Sequence, residues 1–267
     1  MNKHTNAWPD GQGATPDVYD ELISPAPGLL DSILEPLAKP TRYDRDRTVL
    51  PFATVVLTPD GSPIRSVLTG RRIMVTGFYR SRKAGRVLPY EGMNELALLK
   101  HCEVDTKVVD FRSQPLRFEF TIDGSKRIYI ADCVRLLDDG TVEVIEAKGS
   151  LRRLLAPDYA RKLDVVRAVC EKLGWRFSAL HRRHLFEPPH VFANIDEIQS
   201  RSTTWFDQVE ALRAIELIEA AGGETTLGRL SDALDSGPRG LAIAQAMTRC
   251  AEGFARTRSP LLAEVLR

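Results

Sequence analysis

No apolar run in the chain approaches the roughly 18 residues that a membrane helix needs. The stretch Met1–Asp17 has no apolar core, so no secretory leader is expected there. Cysteine is scarce. Its four copies, at 102, 133, 170 and 250, form no C-x-x-C pair and have no histidine at zinc spacing. That excludes a disulfide scaffold and a zinc ribbon, and leaves four reduced, mostly buried thiols in a cytoplasmic protein as the expectation. The patterns G-x-S-x-G, G-x-x-x-x-G-K-[ST] and H-E-x-x-H are missing, which sets aside the hydrolase elbow, the P-loop and the zinc protease helix. With 43% hydrophobic and 27% charged residues, the composition argues against wholesale disorder, collagen-like repeats and a coiled-coil rod. A chain of 267 residues can bury roughly three quarters of its unfolded surface without staples.

Acid is missing altogether from residues 61–90, which hold 7 basic side chains. The net charge of +1 hides this pattern. Residues 91–149 carry 12 acidic and 8 basic side chains, residues 150–189 carry 4 and 9, and the two ends, 1–60 and 190–267, are mildly acidic. An acidic middle segment therefore lies between two basic ones. A solvated surface can take this form. The functional alternative is a cluster of carboxylates flanked by Arg and Lys that hold a polyanion.

Nine of the sixteen prolines lie at or before Pro63, so residues 1–50 are expected to form an extended arm with a short helix near Gly28–Leu37. Strand patterns occupy Thr48–Leu57, Ile64–Thr69 and Arg72–Phe78, with a turn at 59–61 and a basic loop, Tyr79–Arg86, after them. A helix is expected over Glu91–Cys102, then strands at Val108–Phe111, Leu116–Ile122, Arg127–Leu136 and Val142–Ala147. The last two are joined by Asp138-Asp139-Gly140, a hairpin signature. Helix Pro157–Leu173, stopped by Gly174, and strand Trp175–Leu180 complete an α/β unit over 51–188. After Pro188-Pro189 the texture turns helical: Phe206–Ala221, Thr226–Leu234 and Arg239–Cys250, with a possible wing over Phe254–Leu266. Residues 189–267 read either as a winged-helix module or as a plain three-helix subdomain.

The hairpin carries the strongest chemical signal. Strand side chains alternate faces, so Ile128, Ile130, Asp132, Val134 and Leu136 are expected on one face, and Val142, Val144, Glu146 and Lys148 on another. An acid set into an apolar face needs a positive partner. A divalent cation bridging Asp132 and Glu146, with the Ala147 carbonyl as a third oxygen, would serve, and oxygen ligands suit Mg²⁺ or Mn²⁺. Lys148 would stand beside the reacting water or phosphate, and Glu95 on the preceding helix could add a carboxylate. Glu91 is expected in the first turn of that helix, where an acid complements the dipole, so it ranks below Glu95. The bland alternative is a surface hairpin with a Glu146–Lys148 salt bridge. His181 and His184, beside Arg182 and Arg183, suit a solvated or phosphate-facing strip better than a zinc site.

The series Lys83-Ala84-Gly85-Arg86, Pro89-Tyr90-Glu91-Gly92-Met93-Asn94-Glu95, Val109-Asp110, Gln114-Pro115-Leu116, Ile130-Ala131-Asp132 and Val144-Ile145-Glu146-Ala147-Lys148 resembles the TnsA-type transposon endonucleases. These belong to the PD-(D/E)XK restriction-endonuclease-like superfamily, and the resemblance covers about residues 70–185. Ala131 replaces the usual Pro, and Gly92 stands where Ser is usual. The resemblance implies an α/β fold, a restriction-endonuclease-like mixed sheet flanked by helices, followed by a smaller, mostly helical, winged-helix-like domain. It implies a Mg²⁺-dependent DNA endonuclease with Glu95, Asp132, Glu146 and Lys148 as catalytic set. It also implies double-stranded DNA as substrate, a DDE-type transposase subunit and an ATPase regulator as partners, and no membrane. A free-standing phage or restriction-type nuclease, and a non-catalytic DNA-binding scaffold that kept the fold, are the alternatives.

Overall fold

A computed structural model describes residues 46–49, 53–58, 61–65, 74–201, 203–235 and 237–249. The expected arm with its short helix near 28–37, most of the strand expected over 64–69, and the wing over 254–266 lie outside the described residues. The described chain is a mixed α/β fold with ten strands in three sheets and eight helices.

The sheet that matters most is mixed. It comprises β5 (Val108–Ser113), β8 (Cys133–Leu137), β9 (Val142–Lys148) and β10 (Arg176–His181), in the spatial order β10-β9-β8-β5. β8 and β9 form the antiparallel hairpin expected from the Asp138-Asp139-Gly140 turn. β9 is buried at six of its seven positions, as a central strand covered on both faces must be. On one face Val142 and Val144 pack with Val134, Leu136 and helix α3 (Pro157–Lys172) through Leu163, Val166 and Cys170. On the other, Ile145 and Ala147 pack with Cys133 and helix α1 (Met93–Val104) through Leu98, Leu99 and Cys102. α3 carries the chain back so that β10 joins β9 in parallel, with His181 in register with Lys148. The thiols of Cys102, Cys133 and Cys170 are free and buried.

A second, antiparallel sheet runs β1 (Asp46–Val49), β2 (Ala53–Leu57), β6 (Leu116–Ile122), β7 (Ser125–Ile130). Its Val55, Phe118 and Tyr129 share the core with Val134 and Val144 of the central sheet. The run Arg127–Leu136, expected as one strand, is two strands in two sheets. The break falls at Ala131-Asp132, where Gln114 N donates to the Asp132 carbonyl (3.1 Å) and Ala131 N to the Leu116 carbonyl (3.4 Å). Two adjacent chains thus change sheet at one corner, with Gln114 in the left-handed region (φ 49°). The break resets the alternation, so the expected face of Ile128, Ile130 and Asp132 does not exist. Ile128 is 56% exposed, and Tyr129 is the buried member of β7.

The expected basic loop is instead a β-ribbon, β3 (Thr76–Ser81) and β4 (Arg86–Glu91), closed by a turn. Arg80 is exposed, whereas Lys83 is buried and its ammonium donates to the carbonyls of Cys102 (3.1 Å), Val108 (2.9 Å) and Asp105. Those carbonyls lie at and beyond the C-terminal end of α1, where helix carbonyls lack intrahelical partners. Lys83 therefore caps the helix and is not available to grip a ligand. Helix α1 starts two residues later than expected, because Glu91 ends β4 and Gly92 takes φ 97° between strand and helix.

α2 (Leu151–Leu154) and α4 (Arg182–Phe186) flank α3 and β10 as short pieces. A helix the sequence reading missed, α5 (Pro189–Ser200), follows. Pro188-Pro189 reads as a stop, yet proline in a first turn starts a helix as readily as it ends one. α5 buries Ile195 and Ile198 against Val104 of α1, and its Gln199 accepts from the Tyr79 hydroxyl (2.8 Å). The remaining helices, α6 (Gln208–Ala220), α7 (Leu227–Leu234) and α8 (Pro238–Arg249), match the expected three and close on Phe206, Leu230, Leu234, Ile243 and Met247. Gly240 permits the α7–α8 corner, since a Cβ there would stand 2.1 Å from the Asp235 carbonyl oxygen.

Lys83→Met keeps the apolar stem and removes the ammonium from its carbonyls. It is expected to lower unfolding stability in urea by about 2–4 kcal/mol while leaving retention of the folded protein on a polyanion column unchanged. Weakened retention at unchanged stability would return Lys83 to the ligand-gripping role.

Candidate active site

Asp132 sits at the corner between the two sheets, and Glu146 and Lys148 close the end of β9. The corner aims Asp132 at that end, where its Oδ2 accepts from the Ala147 N–H at 2.8 Å. Lys148 makes an ion pair with Glu146 Oε1 and lies 3.8 Å from Asp132 Oδ2. The three side chains expected to act together are therefore together. Alternation along β9 directs Glu146 to the α3 side of the sheet, with its side chain 1% exposed.

Two tyrosines complete the surroundings of Glu146. Tyr129 of β7 donates to Oε2 at 2.6 Å, and Tyr159 of α3 donates to Oε1. Burial and the adjacent Glu146 carboxylate push both phenols above the usual tyrosine range, so both are donors at neutral pH. The Lys148 ammonium lies 5.4 Å from the centre of the Tyr159 ring, within cation–π reach. Burial alone would pull Lys148 down. The Asp132 and Glu146 carboxylates outweigh it and hold the ammonium above the ordinary lysine range.

Glu95 approaches from the other face of the sheet, in the first turn of α1. Its Oε2 accepts from the Glu91 N–H (2.9 Å) and from Gln114 Nε2 (3.3 Å). Burial, reinforced by the charge of Glu91, raises its pKa to about 7. Asp132 is also pushed well above the carboxylate range, first by burial and then by Glu146, with Lys148 opposing and Glu95 adding to the rise. Asp132 is thus in electrostatic reach of both other acids. Contrary to the sequence expectation, Glu91 is not in the helix. It ends β4 and pairs with Arg65 (2.6 Å), so Glu95 is the acid that complements the α1 dipole.

A cleft of about 490 Å³ opens over this end of the sheet. Glu91, Glu95 and Lys148 line it, with Arg153, Tyr159 and Arg182. Asp132 and Glu146 lie behind that lining, and Lys148 and Tyr159 touch both the cleft and Glu146. Arg152 and Arg153 are exposed on α2. The rings of His181 and His184 lie 4.1 Å apart, and these residues serve as a capping pair at the start of α4.

The donor chemistry fits a hard divalent cation. When ionised, Glu95, Asp132 and Glu146 against Lys148 leave a local charge of −2 in a largely buried setting. Without a further cation, burial favours protonating Glu95 and Asp132. Even so, among the described residues no group of three or more Asp, Glu, His or Cys side chains stands in ready metal-holding geometry. Both oxygens of Glu146 are committed to tyrosine hydroxyls, and one also to Lys148.

Sequence reasoning missed Tyr129, Tyr159 and the Gln114 contact to Glu95. Tyr129 was hidden because an unbroken strand puts it opposite Asp132. Gln114-Pro115 was visible only as part of a resemblance, and Tyr159 carried no local signal.

Residues 105–181 match the family model described as TnsA-like endonuclease N terminal. The resemblance read from the sequence is shown over that span, which supports an endonuclease of the TnsA type. The match contains Asp132, Glu146, Lys148 and both tyrosines, and begins one residue after α1, leaving Glu95 outside. No curated protein matches the chain.

Folding raises the proton affinity of Glu95 from the ordinary 4.5 to about 7. Between those values the native state holds a proton that the unfolded chain has lost, so stability falls as pH rises through that window. Glu95→Gln removes this penalty. In urea with a chelator, the variant is expected to gain about 1–3 kcal/mol over the parent at pH 8 and little at pH 4.5. An equal gain at both pH values would detach the effect from ionisation of Glu95.

Proposed function

We propose that this chain, TnsA-like over residues 105–181, is a metal-dependent DNA endonuclease and the strand-cutting subunit of a heteromeric transposase. One observation carries the reading: within the TnsA-like span, Asp132, Glu146 and Lys148 converge where two sheets meet, as buried acids opposed by one ammonium. Asp132 and Glu146, with the Ala147 carbonyl and Glu95, would hold Mg²⁺ or Mn²⁺. Such an ion, when bound, supplies Lewis-acid polarisation of a phosphoryl oxygen. The remaining roles belong to the chain. Lys148, at the cleft wall, stabilises charge on the reacting phosphate. Glu95, lining the cleft, adds its carboxylate to that set or orients the attacking water. Arg153 and Arg182 at the cleft, Arg152 and the exposed Arg80 contact DNA phosphates, which positions the duplex without reading its sequence.

The C-terminal helices, winged-helix-like in this reading, contact DNA or a partner. A DDE-type transposase that cuts the other strand and an ATPase regulator are the partners this reading entails. The non-catalytic scaffold is favoured by a single observation, the commitment of both Glu146 oxygens to donors of the chain itself.

Asp132→Ala and Lys148→Ala are each expected to lower nicking of supercoiled plasmid in Mg²⁺ by about 100-fold or more, with DNA retention in a gel preserved. Undiminished nicking in either variant removes this mechanism. Parent protein that retains DNA but never nicks it, alone or with transposase, supports the scaffold.

A further inference from the structure

The two tyrosines on Glu146 are held in different ways. Tyr129 is packed on both sides, its ring centre 5.9 Å from that of Phe118 and 6.5 Å from that of Phe177, and it is 4% exposed. Its hydroxyl meets Oε2 from inside the core. Tyr159 stands in the first turn of α3, half-buried, with one edge in the cleft and the ammoniums of Lys148 and Lys162 at 5.4 and 5.8 Å from its ring centre. It shares Oε1 with Lys148. Both partners of Oε1 are therefore cleft-lining donors, while the partner of Oε2 is fixed.

A phenol hydroxyl can only donate to a carboxylate, and an ammonium likewise. A cation approaching Oε1 from the cleft meets two hydrogens already turned to that oxygen. We infer that Tyr129 is a positioning residue that sets the aim of Glu146, while Tyr159 and Lys148 cover the oxygen a divalent cation takes, so that cation entry and release of Tyr159 are one event. This rests on the metal-dependent reading above. It accounts for an Asp132 within electrostatic reach of both Glu95 and Glu146 that nevertheless forms no ready metal group with them among the described residues. It also gives Lys148 a destination, since the side chain displaced from Glu146 already lines the cleft.

The test is Mn²⁺ titration of the full chain by calorimetry at neutral pH, using parent, Tyr159→Phe, Tyr129→Phe and Glu146→Gln. Tyr159→Phe removes a competitor and is expected to tighten Mn²⁺ binding by roughly tenfold, the worth of a hydrogen bond to a charged group. The Mg²⁺ concentration that half-saturates nicking should fall in parallel. Tyr129→Phe leaves Oε2 without the donor that aims it, lets the Glu146 carboxylate turn from the cation position, and is expected to weaken Mn²⁺ binding by a similar factor. Tyrosines that merely pack would shift both variants the same way or neither, and either result overturns the inference while leaving the metal reading standing. If Tyr129→Phe does not fold, Tyr159→Phe decides alone, because unchanged or weaker binding contradicts competition at Oε1. A parent chain whose titration is indistinguishable from Glu146→Gln sinks the metal reading itself, and this inference with it.

Discussion

The carboxylate of Glu146, near the end of the central strand of the sheet, is 1% exposed, and the arrangement around it answers that one buried charge. Stripping a carboxylate of water costs several kcal/mol unless donors and an opposite charge replace it. Three elements supply them. β7 brings Tyr129, α3 brings Tyr159, and β9 itself brings Lys148, whose ammonium also stands 3.8 Å from Asp132 Oδ2. If any one is lost, the remaining groups must protonate, move or admit a cation. An acid so placed is poorly explained by stability, since an apolar residue at the end of β9 would pack without these partners.

The corner at Ala131-Asp132 makes this convergence possible. By switching sheets beside Gln114, the chain turns the Asp132 carboxylate onto the Ala147 N–H, and Gln114 reaches Glu95 from the same corner. One backbone feature thereby joins acids that the fold delivers from the two faces of the sheet. The TnsA-like match begins just before β5 and ends with β10, so it contains the whole of the central sheet and this corner.

Much of the central unit was legible in the sequence because its punctuation is local. Asp138-Asp139-Gly140 announces the β8–β9 hairpin, and Pro157 and Gly174 bracket α3. The corner itself was not legible. Neither Gly nor Pro marks Ala131-Asp132, and the apolar residues on both sides read as one strand. The error then propagated by parity, exposing Ile128 and burying Tyr129 contrary to expectation. Lys83 misled for a related reason, since charge in a sequence reads as surface until three carbonyls are found around it. Asp132, Glu146 and Lys148 could be named from spacing, and the structure does bring them together. Their tyrosine partners arrive from elements distant in sequence, and only the folded arrangement reveals them. Helix α5 shows the same limit at the level of organisation. It ties α1 and the β3–β4 ribbon to the C-terminal helices through Ile195, Gln199 and the Glu197–Gln245 bond (2.9 Å), although Pro188-Pro189 reads as a stop.

Anomalous diffraction from crystals of the chain soaked in Mn²⁺ addresses the central assignment most directly. The expected result is an anomalous peak between the Asp132 and Glu146 carboxylates, with the Lys148 ammonium and the Tyr159 hydroxyl withdrawn from Glu146 Oε1 toward the cleft. A fully soaked crystal with no peak there, and with Lys148 and Tyr159 still on Glu146, would contradict it.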